Sequence, residues 1–195
     1  WALDCRQGRA EGCAALKPDD PATILVAGTG PAGLIAALGM ADAGFRVDLV
    51  GPAANRTDAR TTALMTPALD YLGTLGVLDR FRDEAAPLRV MRIVDVTQRL
   101  IRSATVTFHA AEIGEEYFGL NIPNSVLNGA LEDAVTAVPS ISWHRDLVAG
   151  WSLSDDSATA TLSGGKELSA KLAVAADGRL SAARDAAGIR TIVKP

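Results

Sequence analysis

The chain has 195 residues, 48% of them hydrophobic, and a formal net charge of −4 at pH 7. This length and apolar content suffice for one buried core, or for one core and part of a second. The acidic balance provides no basic face for a nucleic-acid backbone, so no nucleic-acid partner is expected. With only two cysteines, Cys5 and Cys13, a disulfide scaffold is excluded, and we expect no metal site and a reducing, cytoplasmic compartment.

Residues 1–22 show no apolar period, and Pro18 and Pro21 flank two aspartates near their end. We expect a disordered or irregular leader here, and not a signal peptide. The apolar run 23–44 that follows is interrupted by glycines and a proline. Because a helix that crosses a membrane would not be interrupted in this way, no membrane span is expected.

The segment 23–50 has the pattern of a strand, a glycine-rich turn, a helix and a second strand. The strands are predicted at Thr23–Ala27 and Arg46–Val50, and the helix at Pro31–Ala43, with a proline in its first turn and Gly44 at its end. This order is the opening βαβ unit of a Rossmann-like α/β domain.

The turn itself carries three glycines at the spacing typical of dinucleotide-binding turns. In such turns the first glycine forms the tight bend, the second admits the pyrophosphate, and the third lets the helix pack on the strand. The phosphates meet the unpaired N–H groups of the helix N-terminus. The candidate cofactor-binding residues here are Gly28, Gly30, Pro31, Ala32 and Gly33. The alternative is a glycine-rich turn that binds nothing.

After a polar loop at 51–60, the periodicity predicts further helices and strands. A helix is predicted over Thr61–Leu75, because Leu64, Ala68 and Leu72 share one helical face. The remaining elements are a short helix at 77–84, strands within 89–108, a helix over 125–137 capped by Asn124, strands near 141–144, 147–153, 157–162 and 168–175, and a helix from Ser181 to Gly188. A Ser-Gly-Gly turn at 163–165 joins the last two strands as a hairpin.

The end of the second strand bears on which dinucleotide is bound. A nicotinamide-binding domain would place an acid after Val50 to hold a ribose hydroxyl, but this position is Gly51. Asp48 is expected to face the other side of the strand, and Asp58 is a weak candidate for that contact. An antiparallel sheet also follows earlier than in a simple nicotinamide-binding domain. The pattern therefore favours an interrupted Rossmann-like domain with an inserted antiparallel sheet.

A second motif follows the last predicted strand, whose apolar run ends at Asp177 and Gly178. A carboxylate at the C-terminal edge of a strand can accept the hydroxyls of ribose or ribitol, and a glycine beside it permits close ligand approach. An ordinary Asp-Gly turn is the alternative.

Other polar and aromatic residues have plainer interpretations. His109 and His144 have no serine or cysteine partner at a recognisable spacing, so a nucleophilic triad is not expected. The acidic loop at 112–116 is interpreted as solvated surface, and Trp143 and Trp151 as packing residues. We therefore name no catalytic side chain.

Four segments, taken together, resemble a known family: GTGPAG (28–33), RTTAL (60–64), FHAAEIGEEYFGLNIPNSVLNGAL (108–131) and LAVAADGRLSAAR (172–184). They are similar in kind and order to the FAD-dependent aromatic hydroxylases of the p-hydroxybenzoate hydroxylase type, and most similar to their UbiH/UbiF-like branch in ubiquinone biosynthesis. The resemblance runs from about Thr23 to Ile189.

This resemblance implies roles for particular residues. Arg60 would contact the phosphate and ribose region of FAD, since arginine offers paired donors to phosphate oxygens. Asn124 would contribute from the start of its helix, and Asp177 with Gly178 would serve both FAD and a transient NAD(P)H. The plainer alternatives are a solvated loop arginine, a simple helix cap and a structural turn.

The resemblance further implies an FAD-binding domain over 23–195, with 88–122 contributing part of a substrate-side sheet. The implied activity is NAD(P)H-dependent hydroxylation of an aromatic ring with O₂, on a polyprenylated phenol. Such a substrate would bring a cytoplasmic enzyme to the inner-membrane surface, or into a biosynthetic complex, without spanning the membrane.

Members of this family are considerably longer than this chain, which stops at Pro195. The chain is therefore expected to be an N-terminal half that lacks part of the flavin site. A non-catalytic nucleotide-binding fragment is the second interpretation. An NAD-dependent dehydrogenase domain is a distant third, since Gly51 and the early antiparallel sheet count against it.

Overall fold

The computed structural model describes residues 23–54, 58–97 and 102–192, and the predicted leader at 1–22 lies outside them. In chain order the helices and strands are β1 (Thr23–Ala27), α1 (Pro31–Asp42), β2 (Arg46–Val50), β3 (Thr61–Met65), α2 (Thr66–Thr74), β4 (Ala86–Pro87), β5 (Val90–Ile93), β6 (Val106–His109), β7 (Gly119–Pro123), α3 (Asn124–Thr136), β8 (Ile141–His144), β9 (Val148–Leu153), β10 (Ala158–Leu162), β11 (Glu167–Ala170), β12 (Leu172–Ala175) and α4 (Ala182–Ala186).

A four-stranded parallel sheet in the order β12-β1-β2-β8 forms the centre of the fold. The unit β1-α1-β2 opens it as predicted, but the chain then leaves the sheet for β3 to β7 before α3 leads back into β8. Three antiparallel strands, β9 to β11, precede the last parallel strand β12. The predicted interrupted Rossmann-like fold with inserted antiparallel sheets is confirmed.

The two faces of the parallel sheet are covered by different layers. Ile24 and Val26 of β1 point to the helix side, where they pack in a cluster with residues of α1, α2 and α3. Leu25, between them, packs on the other face against the sheet β11-β10-β9. Because successive side chains of a strand alternate in direction, a strand that is apolar throughout fits between two layers. Trp143 and Trp151 pack as predicted, Trp143 against the first cluster and Trp151 against the second.

Two smaller sheets are built from the insertion between β2 and β8. One has the order β3-β7-β4, and the other is the antiparallel pair β5-β6. The first is tied to the helix-side core through Leu120 and Ile122 of β7, which are buried. All four residues of β5 are exposed. Among the described residues, no helix combines the length and the apolar character that crossing a bilayer requires.

The predicted helix over Thr61–Leu75 is wrong in its first third. Residues Thr61–Met65 form β3, which pairs with β7 along its full length, and the helix begins only at Thr66. The reason is Pro67, which has no N–H to donate and is tolerated only in the first turn of a helix. The apolar spacing continued across this boundary by coincidence.

The predicted strand over 168–175 is two strands. β11 pairs with β10 in the antiparallel sheet, whereas β12 pairs with β1 in the parallel sheet, and Lys171 separates them. The hairpin between β10 and β11 is confirmed. The short helix expected at 77–84 consists of two 3-10 turns, Leu78–Arg80 and Arg82–Glu84. Among the described residues of 89–108, the strands are β5 and the first three residues of β6, which pair with each other.

Candidate functional site

Two glycines of the turn after β1 are required by packing within the chain. A Cβ atom on Gly28 would lie 2.1 Å from the Ala176 carbonyl oxygen, and its φ of +112° favours glycine. A Cβ atom on Gly33 would lie 1.9 Å from the carbonyl oxygen of Gly28. The turn thus packs closely against the end of β12 on one side and against α1 on the other. The structural roles predicted for these two glycines are confirmed.

Gly30 is different, because nothing within the chain requires a glycine there. Its φ of −72° and ψ of 175° are open to any residue, and a Cβ atom on it would meet no atom within 4 Å. The backbone at Gly30 is therefore accessible from open space. This is expected of a position that a ligand approaches closely.

The N-terminus of α1 faces the same space. Gly30 is its N-cap and cannot cap it with a side chain, and the first helical hydrogen bond runs from the Leu34 N–H to the Gly30 oxygen at 3.0 Å. The amide groups of Ala32 and Gly33 precede that bond, so the helix itself gives them no acceptor. No acidic residue lies in the first turn. These donors and the positive end of the helix dipole suit an anion.

Two clefts meet at this turn and share Thr29, Gly30 and Pro52 in their walls. The first, of about 500 Å³, extends from Gly28 past the end of β2 to the Asp177-Gly178 turn. The second, of about 440 Å³, is lined by Pro31, Ala54, Asp58, Arg60, Asn124 and Asn128, among others. The structure thus brings seven of the nine predicted site residues into two adjoining clefts, with Ala32 and Gly33 in the helical turn beside them.

Asp177 lines the first cleft, and its two carboxylate oxygens differ in their hydrogen bonding. Oδ2 accepts the Ala183 N–H at 3.1 Å and so anchors the start of α4, whereas Oδ1 is buried and has no partner. Burial opposes ionisation, but hydrogen bonds from the Ser181 hydroxyl and the Ala183 N–H hold the pKa of Asp177 below its ordinary value. An ionised carboxylate with one unused acceptor is suited to a ligand hydroxyl.

Asn128 is a candidate site residue that the sequence analysis did not identify. Its Oδ1 atom is buried without a hydrogen-bond partner and its side chain lines the second cleft. The signal was present, since Asn128 follows Asn124 by four residues and therefore lies on the same face of α3. An unpaired buried amide oxygen is costly for the folded chain unless a ligand satisfies it.

Asn124 does not cap its helix, contrary to the prediction. It is the first residue of α3, Pro123 is the N-cap, and no side chain caps the helix. Its amide instead accepts a hydrogen bond from the Thr62 hydroxyl at 2.6 Å and donates one to Asp58 Oδ2 at 2.9 Å. The side chain therefore points toward the second cleft and the loop that precedes β3.

Arg60 lies against Asp58 in that loop. Its guanidinium donates from Nε to Oδ1 at 2.9 Å and from Nη2 to Oδ2 at 2.8 Å. Hydrogen bonds from Arg60 and Asn124 hold the pKa of the Asp58 carboxyl well below its usual range. Arg60 is thus not the freely solvated arginine of the plainer interpretation, although its side chain is 83% exposed.

The end of β2 has no room for the acid that a nicotinamide-binding domain places there. A Cβ atom on Gly51 would lie 2.5 Å from the hydroxyl oxygen of Thr29, which itself donates to the Pro52 carbonyl. Asp48 faces away from this point and contacts His144 Nε2 at 2.8 Å across the sheet, a pair that sequence reasoning did not anticipate.

The donor and acceptor set of the two clefts fits FAD. Backbone N–H groups and a guanidinium match the pyrophosphate, and the unpaired oxygens of Asp177 and Asn128 match hydroxyl or amino donors of the ribose, ribityl or adenine groups. In the part of the chain that the structure describes, no three histidine, cysteine or acidic residues are grouped to hold a metal ion.

Comparison with known proteins gives the same assignment. A family model described as FAD binding domain matches residues 21–194. The 3-demethoxyubiquinol 3-hydroxylase of Escherichia coli strain K12 is 31% identical over 180 residues, a span of 88% of this chain and 45% of that protein. The ubiquinone hydroxylase UbiL of Rhodospirillum rubrum is 27% identical over 186 residues, a span of 88% of this chain and 40% of that protein. The chain thus spans less than half the length of these relatives.

A solved structure with the same fold is that of the flavin-dependent monooxygenase PieE in complex with FAD and substrate. It matches with a TM-score of 0.70 at 21% identity, over 89% of this chain and 33% of that chain. The predicted resemblance to FAD-dependent aromatic hydroxylases, with ubiquinone hydroxylases among the relatives, is confirmed. Because the family model covers nearly the whole chain and both of its predicted cofactor motifs, the chain belongs to the FAD-binding domain family.

Proposed function

We propose that this chain forms the FAD-binding portion of an aromatic-ring monooxygenase that uses NAD(P)H and hydroxylates a polyprenylated phenol in ubiquinone biosynthesis. The single observation that best supports FAD binding is the accessible backbone at Gly30, beside the N-terminus of α1, which no side chain caps. Family membership over 21–194 and the ubiquinone hydroxylases among the relatives support the reaction class.

The residues proposed to hold the cofactor surround that point. Gly28, Gly30, Pro31, Ala32 and Gly33 form the turn and helix start that would face the pyrophosphate. The flanking contacts would come from Arg60, Asn124, Asp177 and Gly178, which line the two clefts. Bound FAD, with NAD(P)H as reductant and O₂ as oxidant, supplies the oxygen-transfer chemistry. We assign binding and orientation, and no catalytic step, to the described side chains.

The proposed domain extends over 23–195, with 88–122 contributing to a substrate-side sheet. Support comes from the β5-β6 hairpin, which stands outside the helix-side core and exposes apolar side chains such as Ile93 and Phe108. We further propose a cytoplasmic location with peripheral contact to the inner membrane or a biosynthetic complex, since a prenylated substrate is membrane-bound. This part of the proposal depends on the substrate assignment.

The second candidate is a nucleotide-binding module without catalysis of its own. It is favoured by the two clefts, whose residues offer contacts for a cofactor while no catalytic step is assigned to them. An NAD-dependent dehydrogenase is disfavoured, because Thr29 occupies the space beside Gly51 where the ribose-binding acid would lie.

Replacement of Gly30 by valine tests the cofactor site. We expect Gly30→Val to abolish retention of FAD, measured by the visible spectrum of the purified chain, because its side chain would occupy the space open to the pyrophosphate. The matched control is Gly150→Val on β9, where a Cβ atom also meets nothing within 4 Å. FAD retention unchanged in Gly30→Val would refute the assignment of this turn.

Reduction of the bound flavin separates the two candidates. Bleaching of a yellow wild-type chain by NAD(P)H with uptake of O₂ would support a working monooxygenase. A chain that binds FAD but is not bleached would support the module without catalysis. A chain that binds neither FAD nor ADP, even when titrated with them, would contradict both.

A further inference from the structure

The second cleft contains a hydrogen-bond network that joins three parts of the chain. Thr62 of β3 donates to Asn124 of α3, Asn124 donates to Asp58, and Arg60 donates to Asp58 from its side chain and from its backbone N–H at 3.0 Å. Asp58 lies at the centre, with its side chain only 16% exposed. Asp58, Arg60 and Thr62 are close in sequence, but Asn124 lies 66 positions from Asp58 and 62 from Thr62, so the fold brings it to the network.

The acceptor capacity of Asp58 is fully used. Its oxygens receive four N–H groups: the backbone N–H, Nε and Nη2 of Arg60, and Nδ2 of Asn124. A carboxylate offers about four lone-pair sites, so Asp58 has none left for a ribose hydroxyl. These hydrogen bonds count against the ribose contact considered for Asp58 from the sequence.

The same bonds determine what Arg60 and Asn124 can offer a ligand. Asp58 takes the Nε–Nη2 edge of the guanidinium, which leaves Nη1 and the second Nη2 hydrogen as free donors. The Asn124 amide is held in one orientation, because its oxygen accepts from Thr62 and a reversed amide would direct that oxygen at the carboxylate. Both side chains line the cleft that contains the N-terminus of α1.

We propose that Asp58 is a positioning residue for recognition of the cofactor diphosphate, acting by presenting the free edge of Arg60 and the amide of Asn124 to the second cleft. This inference rests on the proposed function, since it assumes that a diphosphate occupies that cleft. Asp58 does not touch the ligand. It removes the rotamer freedom that an exposed arginine would otherwise lose on binding.

Positioning by Asp58 and simple charge repulsion predict opposite effects of the Asp58 carboxylate on diphosphate binding. A carboxylate near a diphosphate repels it, so replacement of Asp58 by the neutral, equally large asparagine would tighten binding if charge alone decided. If positioning decides, Asp58→Asn weakens binding, because asparagine cannot accept both guanidinium donors of Arg60 in the same way. The two effects have opposite signs, so a single affinity measurement distinguishes them.

The experiment uses calorimetry with ADP, which carries the diphosphate, and adenosine, which does not. Asp58→Asn is expected to raise the Kd for ADP about tenfold, the cost of ordering one long side chain, with the Kd for adenosine unchanged. The control Asp155→Asn, in the exposed turn between β9 and β10, should leave both constants unchanged. In a chain that already carries Arg60→Lys, Asp58→Asn should raise the Kd for ADP only slightly further, because both substitutions act through the same contact.

A measurement without ligand tests the network itself. In the wild-type chain the Arg60 Nε–H should exchange slowly with solvent by NMR, and this protection should be lost in Asp58→Asn but kept in Asp155→Asn. Thr62→Val, which preserves every charge, should weaken ADP binding in the same direction and to a smaller extent.

The outcomes separate this inference from the proposed function. A wild-type chain that binds neither FAD nor ADP refutes the proposed function, and the inference with it. A wild-type chain that binds ADP, with equal or tighter binding in Asp58→Asn, refutes positioning alone. An unprotected Arg60 Nε–H in the wild-type chain also refutes positioning, as does an Asp58→Asn chain that fails to fold, since Asp58 would then be a stability residue.

Discussion

At the scale of single residues, the three glycines of the turn serve two different purposes. Gly28 and Gly33 are glycines because backbone atoms lie where their Cβ atoms would be, whereas Gly30 borders open space. A motif of identical residues thus combines requirements of the fold, at Gly28 and Gly33, with the proposed requirement of a ligand at Gly30. Only the three-dimensional structure distinguishes the two roles, because the spacing alone assigns all three glycines to the same motif.

This separation gives a prediction for stability. Gly28→Ala should lower the free energy of unfolding by about 2 kcal/mol or more, since its Cβ atom would overlap the Ala176 carbonyl at a φ of +112°. Gly30→Ala should change it by less than about 0.5 kcal/mol, because it meets no atom and its backbone is unstrained. Urea unfolding followed by circular dichroism measures both. Equal losses in the two variants would contradict the distinction.

At the scale of elements, two boundaries depended on features that a periodic pattern does not contain. The apolar spacing at 61–75 fits a helix, but Pro67 is tolerated only in the first turn of a helix, so α2 begins at Thr66 and the preceding residues pair with β7. The apolar run 168–175 fits one strand, but its halves join different sheets. Pro67 is a local signal for the first boundary, but the pairing of β3 with β7 and of β12 with β1 joins strands that are distant in sequence and leave no local signal.

The start of α4 gives a prediction on pH. Partial burial of Asp177 opposes its ionisation, but hydrogen bonds from Ser181 and Ala183 hold its pKa below the ordinary value of 3.8. Since the pKa is lower in the folded chain, the ionised group stabilises the fold above that value, and this contribution is lost as the pH falls through the lowered pKa. Asp177→Asn should therefore melt below the wild type near neutral pH, and the difference should close as the pH falls below about 3.8.

Thermal unfolding over a pH series provides the measurement for Asp177. Asp156→Asn, at an exposed position before β10, serves as the control and should follow the wild type throughout. The melting temperatures of the wild type and Asp177→Asn could instead differ by a constant amount down to pH values well below 3.8. That result would show that the carboxylate charge does not stabilise this turn.

At the scale of the whole molecule, the β5-β6 hairpin stands apart from the two buried clusters. Its register places Met91, Ile93, Val106 and Phe108 on one face, and each of these side chains is 41–56% exposed. A two-stranded sheet with an apolar face exposed on one side has little stability alone. Contiguous apolar surface of this kind also promotes association.

The exposed hairpin predicts concentration-dependent self-association of the isolated chain. Ile93→Lys with Phe108→Lys should reduce it in sedimentation velocity, with the melting temperature nearly unchanged because both side chains are already exposed. The matched control is Val90→Lys with Thr107→Lys, which adds the same charge to the opposite face of the hairpin. If both double variants reduce association equally, added charge and not the apolar face is the cause.

By itself the sequence determined the βαβ opening, the glycine turn, the Asp177-Gly178 motif and the family. These are local features, because alternation in a strand, a helix start at proline and the need for glycine are each readable from a few neighbouring residues. Only the tertiary structure decided how the site is arranged. The Asp58–Asn124 and Thr62–Asn124 hydrogen bonds join residues 66 and 62 positions apart. Contacts of that range depend on which strands pair, and strand order is a property of the whole fold.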